Sequence, residues 1–303
     1  MGKVKVRVPA STTNIGCGFD CLGIALSLYN EVEVELAEKG EVFFEIEGEG
    51  KEVIPENESN LVFSSLKEVF ERLGKKLKGA KIKQINRIPL QRGLGSSGAA
   101  CVAGIVAANY LLGKPLSEKE ILKMAISFEG HPDNVTASLL GGFVAVCMEK
   151  DTPIWIKLPF PENLKIVVCI PDLKIPTEKA RKVIPDKIAL EDTVFNLSRV
   201  SLLVSSLSLN NLENLSVALQ DKIHQPYRKK IMPYMDDIFS AAIKSGAEGA
   251  FLSGAGSAIA SFVRKEKAER VGRAMQEAFW RRKINSYFLI LSVDKKGCRV
   301  VEG

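Results

Sequence analysis

The run Pro89-Leu-Gln-Arg-Gly-Leu-Gly-Ser-Ser-Gly-Ala-Ala100 constrains this chain more than any other segment. Gly93 and Gly95 permit backbone conformations that turn successive N–H groups outward with no side chain over them. A helix of small residues follows, expected over Ala99–Leu112, and its mouth forms at Ser96-Ser97. Unpaired N–H groups and the positive dipole end meet there, an arrangement that binds phosphate.

Two other readings compete for these residues. Gly93, Gly95 and Gly98 satisfy the GxGxxG dinucleotide fingerprint, but there a short apolar strand runs directly into the first glycine. Here strand Lys81–Ile88 alternates basic and apolar residues, and Pro89 to Arg92 intervene. Taken alone, the motif also fits a glycine-rich helix start with no ligand. A GxxxxGK[ST] loop is absent from the sequence, which excludes a P-loop enzyme.

The chain has 303 residues, enough for two domains. Hydrophobic residues at 46% and charged residues at 26% describe a globular protein, and no stretch reaches the roughly 20 apolar residues of a membrane helix. The start, Met1–Ser11, alternates apolar and basic residues and reads as a strand rather than a secretory signal. The net charge of +6 suits an anionic substrate as well as a solvated surface. Basic runs interleaved with aromatics are missing, which disfavours nucleic acid as a partner. Cys101, Cys147 and Cys169 lie in apolar runs where reduced core thiols are expected, pointing to a cytoplasmic location. With His131 and His224 the only histidines, a His/Cys zinc site is disfavoured.

Periodicity predicts strands at Lys3–Val8, Glu31–Leu36 and Glu41–Glu47, the last two read as a hairpin around Glu38-Lys39-Gly40. Asn60 caps a helix through Leu73, and Ser117 caps another through Phe128. A short helix at Asn134–Leu140 precedes strand Phe143–Met148. The three prolines of Glu149–Pro161 mark a domain boundary, giving domains 1–152 and 153–303. Beyond it, strand Lys165–Ile170, helices near 195–208, 212–221 and 234–245, strands Ala250–Ser253 and Ala258–Val263, helix Lys265–Arg282 and strand Tyr287–Val293 describe a split βαβ sandwich.

Three blocks in order resemble the GHMP kinase superfamily: Pro9 to Gly23, Gly93-Leu-Gly-Ser-Ser and Ser253-Gly-Ala-Gly-Ser. Within it the chain is most similar to the homoserine kinases, through Gly18-Phe-Asp-Cys-Leu-Gly, Glu129-Gly-His-Pro-Asp-Asn, Pro171 to Arg181 and Gln225-Pro-Tyr-Arg. It departs from the family at Gly98, where alanine is usual, and at Ala255 and Ser257. The resemblance implies an α+β, two-domain GHMP kinase fold. A ribosomal-protein-S5-like N-terminal domain would bind ATP and magnesium, and the C-terminal domain would be ferredoxin-like. The implied reaction is phosphorylation of the L-homoserine hydroxyl, in threonine biosynthesis. A kinase for a mevalonate-type alcohol and a ligand sensor without activity are the alternatives. The family often dimerises, which makes a homodimer one candidate assembly, although the sequence does not give the oligomeric state.

The resemblance assigns ATP to Pro89, Leu90, Gln91, Arg92, Gly93, Leu94, Gly95, Ser96, Ser97, Gly98 and Ala99. Ser97 and Glu129 resemble the family's hydroxyl and carboxylate pair for Mg2+, which takes hard oxygen ligands. A zwitterionic acceptor needs cations at one end and acceptors at the other. Arg181 and Arg228 resemble the carboxylate anchors, Asn14 and Asp20 can receive the ammonium, and His131 can add a polar contact. Asn134 would orient the hydroxyl; Asp133 is either a base or a helix cap beside it. Cys17 and Cys21 read as packing residues.

Overall fold

The computed structural model describes residues 2–38, 40 and 42–303. Its first strands, β1 (Lys3–Asn14) and β2 (Gly18–Leu36), form a long antiparallel hairpin whose tip is residues 15–17. β3 (Val42–Gly48), helix α1 (Leu61–Arg72) and β4 (Ala80–Asn86) follow. The expected hairpin between Glu31–Leu36 and Glu41–Glu47 does not form. β4 inserts between them, pairing antiparallel with β2 and parallel with β3. α1 is the crossover that a parallel pair requires. Lys39 of the expected turn and Glu41 lie outside the described residues.

Asn60 caps α1 as its sequence predicts, its Oδ1 accepting from Val62 N at 3.0 Å. Helix α2 (Ser96–Leu111) begins three residues before the expected Ala99 and runs through the core. Its small residues let α1 approach: a Cβ on Gly104 would lie 2.1 Å from Ser65 Oγ and 2.4 Å from Val62 O. α3 (Glu118–Glu129) starts in the expected capping box of Ser117 and Glu120, and α4 (Asp133–Leu140) follows.

β5 (Phe143–Glu149) pairs with β2, and β6 (Thr152–Leu158) pairs with β5. β6 falls in the proline-bearing stretch that periodicity does not read as a strand. It is an edge strand, where Pro153 leaves no ladder hydrogen bond unmade. Cys147, expected in the core, is exposed near the end of β5, where the strand leaves the sheet's covered part.

The second sheet starts with β7 (Leu164–Pro171). Four helices intervene, α5 (Thr177–Lys182), α6 (Leu190–Ser208), α7 (Leu215–Ala218) and α8 (Gln225–Arg228), then α9 (Met235–Lys244). β8 (Gly249–Leu252), β9 (Ile259–Arg264), α10 (Ala268–Arg281) and β10 (Ser286–Leu291) complete it, in the order β10-β7-β9-β8. This is the β-α-β-β-α-β arrangement expected from the sequence, with a helical excursion after its first strand. A last strand, β11 (Arg299–Glu302), returns to pair with β1.

Both faces of β7 are covered, which explains its unbroken apolar run. Ile166, Val168 and Ile170 join the core of the first sheet and α6, while Val167 and Cys169 pack with Met275 and Phe279 of α10. The first sheet, the helical excursion and one face of the second sheet therefore share a core, and the hairpin tip lies against it through Ile15 and Cys17.

Candidate active site

Gly95 is the N-cap of α2 at φ +69° and offers no side chain, so the first-turn N–H groups of the helix have no side-chain cap. A Cβ on Gly95 would lie 2.1 Å from Ser11 Oγ and 2.8 Å from Asn134 Oδ1, so glycine is required for space as well as for backbone angle. The loop before it is fixed by its carbonyls. Leu94 O accepts from Ser11 N at 3.1 Å, Gly93 O from Ser253 Oγ at 2.6 Å and Arg92 O from Ala258 N at 3.1 Å. Both sheets therefore grip this loop, and Arg92 adds an ion pair to Asp172 at 2.9 Å.

Across the mouth of α2 lies the turn between α3 and α4. Glu129 ends α3 with its Oε2 only 3.3 Å from where a Cβ on Gly98 would stand, so its carboxylate sits on the first turn of α2. Burial pushes its pKa up; His131 and a hydrogen bond from Ser97 oppose this, while Asp133 adds to it. The buried Asp133 receives Asn134 N at 2.8 Å on Oδ1, which also lies 3.1 Å from His131 Nδ1. Burial would lower the His131 pKa, but the hydrogen bond and charge of Asp133, with Glu129 and Asp20 beyond, raise it overall. Asn134 Oδ1 accepts from Ser11 Oγ at 2.9 Å and its Nδ2 donates to Thr13 Oγ1 at 3.3 Å, which aims the amide at the cleft.

The far wall is built by the hairpin tip, α5 and α8. Asn14, Ile15 and Asp20 all have positive φ (66°, 43° and 57°), local strain of a kind found at ligand-binding turns. Asn14 braces the tip: Oδ1 accepts from Asp20 N at 3.0 Å and Nδ2 donates to Gly254 O at 2.8 Å. Arg181 of α5 meets Asp20 through two hydrogen bonds of 2.8 Å each. Arg228 of α8 is fully buried, and burial, then the charge of Arg181, pulls its pKa down to about 10, so it stays charged at neutral pH. Both guanidinium groups lie over the ring of Phe19, at 5.3 and 5.5 Å from its centroid.

Asn14, Asp20, Pro89, Gln91–Ser97, Glu129, His131, Asp133, Asn134, Arg181 and Arg228 line one cleft. Of the other residues singled out from the sequence, Gly98 and Ala99 are buried within the first turn of α2 and do not line it. Leu90 turns instead into an adjoining pocket, lined also by Asn30, Val53–Pro55, Ser59–Leu61, Gln84, Asn86, Ser96, Ser97 and Ala100. Apart from the loop residues, sequence reasoning missed this pocket. Asn60 reads only as a helix cap, and Asn86, a buried amide whose Nδ2 has no partner among the described residues, carries no local signal. Thr13 and Thr177 of the main cleft were missed for the same reason. Burial raises the Cys17 and Cys21 thiols to about 12 and about 11, which keeps them protonated, as packing residues should be.

The model of the GHMP kinases N terminal domain matches residues 60–142, and that of the GHMP kinases C terminal region matches 203–280. The homoserine kinase of Caldicellulosiruptor bescii is 44% identical over 299 residues, 98% of this chain and 96% of its own. This chain belongs to the homoserine kinase family of the GHMP kinases. The homoserine kinase of Persephonella marina is 43% identical over 99% of both chains. A crystal structure of homoserine kinase from Cytophaga hutchinsonii, 35% identical, superposes with a TM-score of 0.91 over 99% of this chain and 98% of that one. As a homoserine kinase family member, the chain has the two-domain GHMP kinase fold and is a kinase that uses ATP. Among the described residues, no helix is long and apolar enough to cross a membrane, and no three His, Cys, Asp or Glu side chains gather as a metal cluster.

Proposed function

We propose that this enzyme transfers the γ-phosphate of ATP to the hydroxyl of L-homoserine, giving O-phospho-L-homoserine for threonine biosynthesis. One observation carries the reading: a carboxylate and two guanidinium groups, Asp20, Arg181 and Arg228, face an uncapped helix mouth across a single cleft. Such a wall suits an acceptor that bears both an ammonium and a carboxylate, and the mouth suits a polyphosphate. A mevalonate-type alcohol has no ammonium for Asp20, and the relatives are named for homoserine. The intact helix mouth and the Glu129 carboxylate beside it likewise argue against a ligand sensor without activity.

The Pro89–Ala99 segment would hold the phosphates, and the adjoining pocket would take the base, with Asn86 Nδ2 as a donor in search of an acceptor. Ser97 and Glu129 fit Mg2+ in donor chemistry, both being hard oxygen donors at the helix mouth, with phosphates and water left to complete its shell. The half-buried Glu129 carboxylate gains from a cation, because desolvation makes its charge costly alone. Mg2+ bound there would neutralise charge on the phosphate oxygens.

Phosphoryl transfer has a loose transition state, so alignment and charge stabilisation do most of the catalysis. Asn134, held from three sides, would orient the acceptor hydroxyl toward the γ-phosphate. Asp133 would act chiefly by fixing Asn134 and His131, while His131 contacts the acceptor. Asn14 would set the height of Asp20, which receives the ammonium, and Arg181 and Arg228 would hold the carboxylate. The same reading expects a cytoplasmic homodimer with reduced cysteines.

A coupled ADP-release assay with homoserine, mevalonate and a diphosphocytidyl sugar alcohol tests the proposal. Turnover with homoserine alone is expected. Turnover of mevalonate without turnover of homoserine would overturn it.

A further inference from the structure

His224 does not line the cleft, yet it is fully buried against Arg228, which does. Its Nε2 lies 2.7 Å from Gly16 O, an acceptor only, so Nε2 carries the proton and donates. That leaves Nδ1 as an acceptor, and Arg228 Nη1 donates to it at 3.1 Å. The ring also stacks on Phe19 at 5.2 Å between centroids, and Phe19 lies under both Arg181 and Arg228. Asp221 sets the backbone of this turn, accepting from His224 N at 2.9 Å and Gln225 N at 2.6 Å.

The remaining donors of Arg228 are as constrained. Nε donates to Ala180 O at 3.1 Å, and Nη1 also donates to Gly254 O at 2.9 Å. Nη1 is thus saturated and Nε is used. Nη2 has no partner among the described residues and is not among the sealed, unsatisfied atoms. The fork therefore presents one nitrogen to the cleft.

We infer that His224 is a positioning residue for the acceptor: its Nδ1 fixes which N–H groups of Arg228 remain for the substrate carboxylate. This rests on the reading of Arg228 as the carboxylate anchor. Without that acceptor, one Nη1 hydrogen is unpaired in a buried site, and the guanidinium is free to rotate toward other oxygens. The arrangement requires a neutral imidazole, because a protonated one would set two like charges 3.1 Å apart with no acceptor between them. Burial above all holds the His224 pKa down, to about 4, with Asp221 opposing and the Arg228 charge assisting.

The two contacts of His224 can be separated by substitution. An asparagine amide oxygen falls near Nδ1 and keeps the acceptor for Arg228; a glutamine amide nitrogen falls near Nε2 and keeps the donor to Gly16. The homoserine KM, the ATP KM, kcat and Tm are measured for His224→Asn, His224→Gln and Arg228→Leu. His224→Gln is expected to raise the homoserine KM about tenfold with kcat and the ATP KM little changed, and His224→Asn to leave it within about twofold. Equal effects of the two, or a larger one for His224→Asn, would make His224 a brace of the Gly16 turn and overturn the inference. If the glutamine variant does not fold, a raised KM in His224→Asn overturns it alone. Arg228→Leu reports on the underlying reading: an unchanged homoserine KM there overturns the anchor itself. A raised KM there, with none in His224→Gln, overturns only the role of His224.

Discussion

Asp20 and Arg181 close on one another with two parallel 2.8 Å hydrogen bonds, although 161 residues separate them in the chain. Each is the counter-ion the other needs while the cleft holds no acceptor. A zwitterion can take both partners at once, offering an ammonium to the carboxylate and a carboxylate to the guanidinium. A neutral alcohol cannot. Asp20→Asn removes the charge that pays for this exchange. The homoserine KM should rise about 10-fold or more while the ATP KM holds, as read by initial rates with each substrate varied in turn.

Glu129→Gln should separate activity from stability. Its carboxyl pKa is raised, chiefly by burial, so the folded chain favours the protonated form. Stability from this group is therefore present below the ordinary carboxylate pKa and lost as pH rises through the raised value. At pH 7 the neutral amide removes that penalty. Tm of the ligand-free variant should equal or exceed that of the parent, while kcat falls by about 10²-fold as the proposed metal ligand is lost. Paired thermal melts and turnover assays over a magnesium titration check this.

His131 should give the same sign of dependence from a different cause. Asp133 holds its pKa above 6.5 despite burial. The protonated pair stabilises the fold fully below the unfolded value and loses that contribution as pH rises through the raised one. Melts between pH 5 and 9 should show this slope in the parent and a flatter one in His131→Asn.

Gly95→Ala should damage both fold and activity. The added methyl would meet Ser11 Oγ and Asn134 Oδ1, and alanine at φ +69° costs roughly 1–2 kcal/mol before any clash. A lower Tm is expected, with kcat reduced more than either KM, because Asn134 is displaced from the hydroxyl. An unchanged kcat would count against the role of Asn134.

What the sequence made legible was local. Asn60, Ser117 and the Gly93–Gly98 loop each signal through neighbours a few residues away, and each forms as read. Alternation at Glu31–Leu36 and Glu41–Glu47 identifies strands but not their partners, so β4 could intervene unseen. β6 was hidden because prolines read as breaks, though an edge strand tolerates them. In the site, residues with their own motif surfaced, whereas Asn86 and His224 matter through contacts made across the fold. A lone histidine before Gln225-Pro-Tyr-Arg gives no hint that its ring bridges Gly16 and Arg228.

The second sheet leaves the first through β6 and returns to it through β11, which lies on β1. The two layers are thus stitched together at two separate seams. Between the seams, the loops at 92–95 and 253–258 bind one another directly, Ser253 Oγ donating to Gly93 O and Ala258 N to Arg92 O. The wall opposite the helix mouth is likewise tied from distant parts of the chain, Asn14 to Gly254 and Asp20 to Arg181, with Arg228 held to His224 beside them.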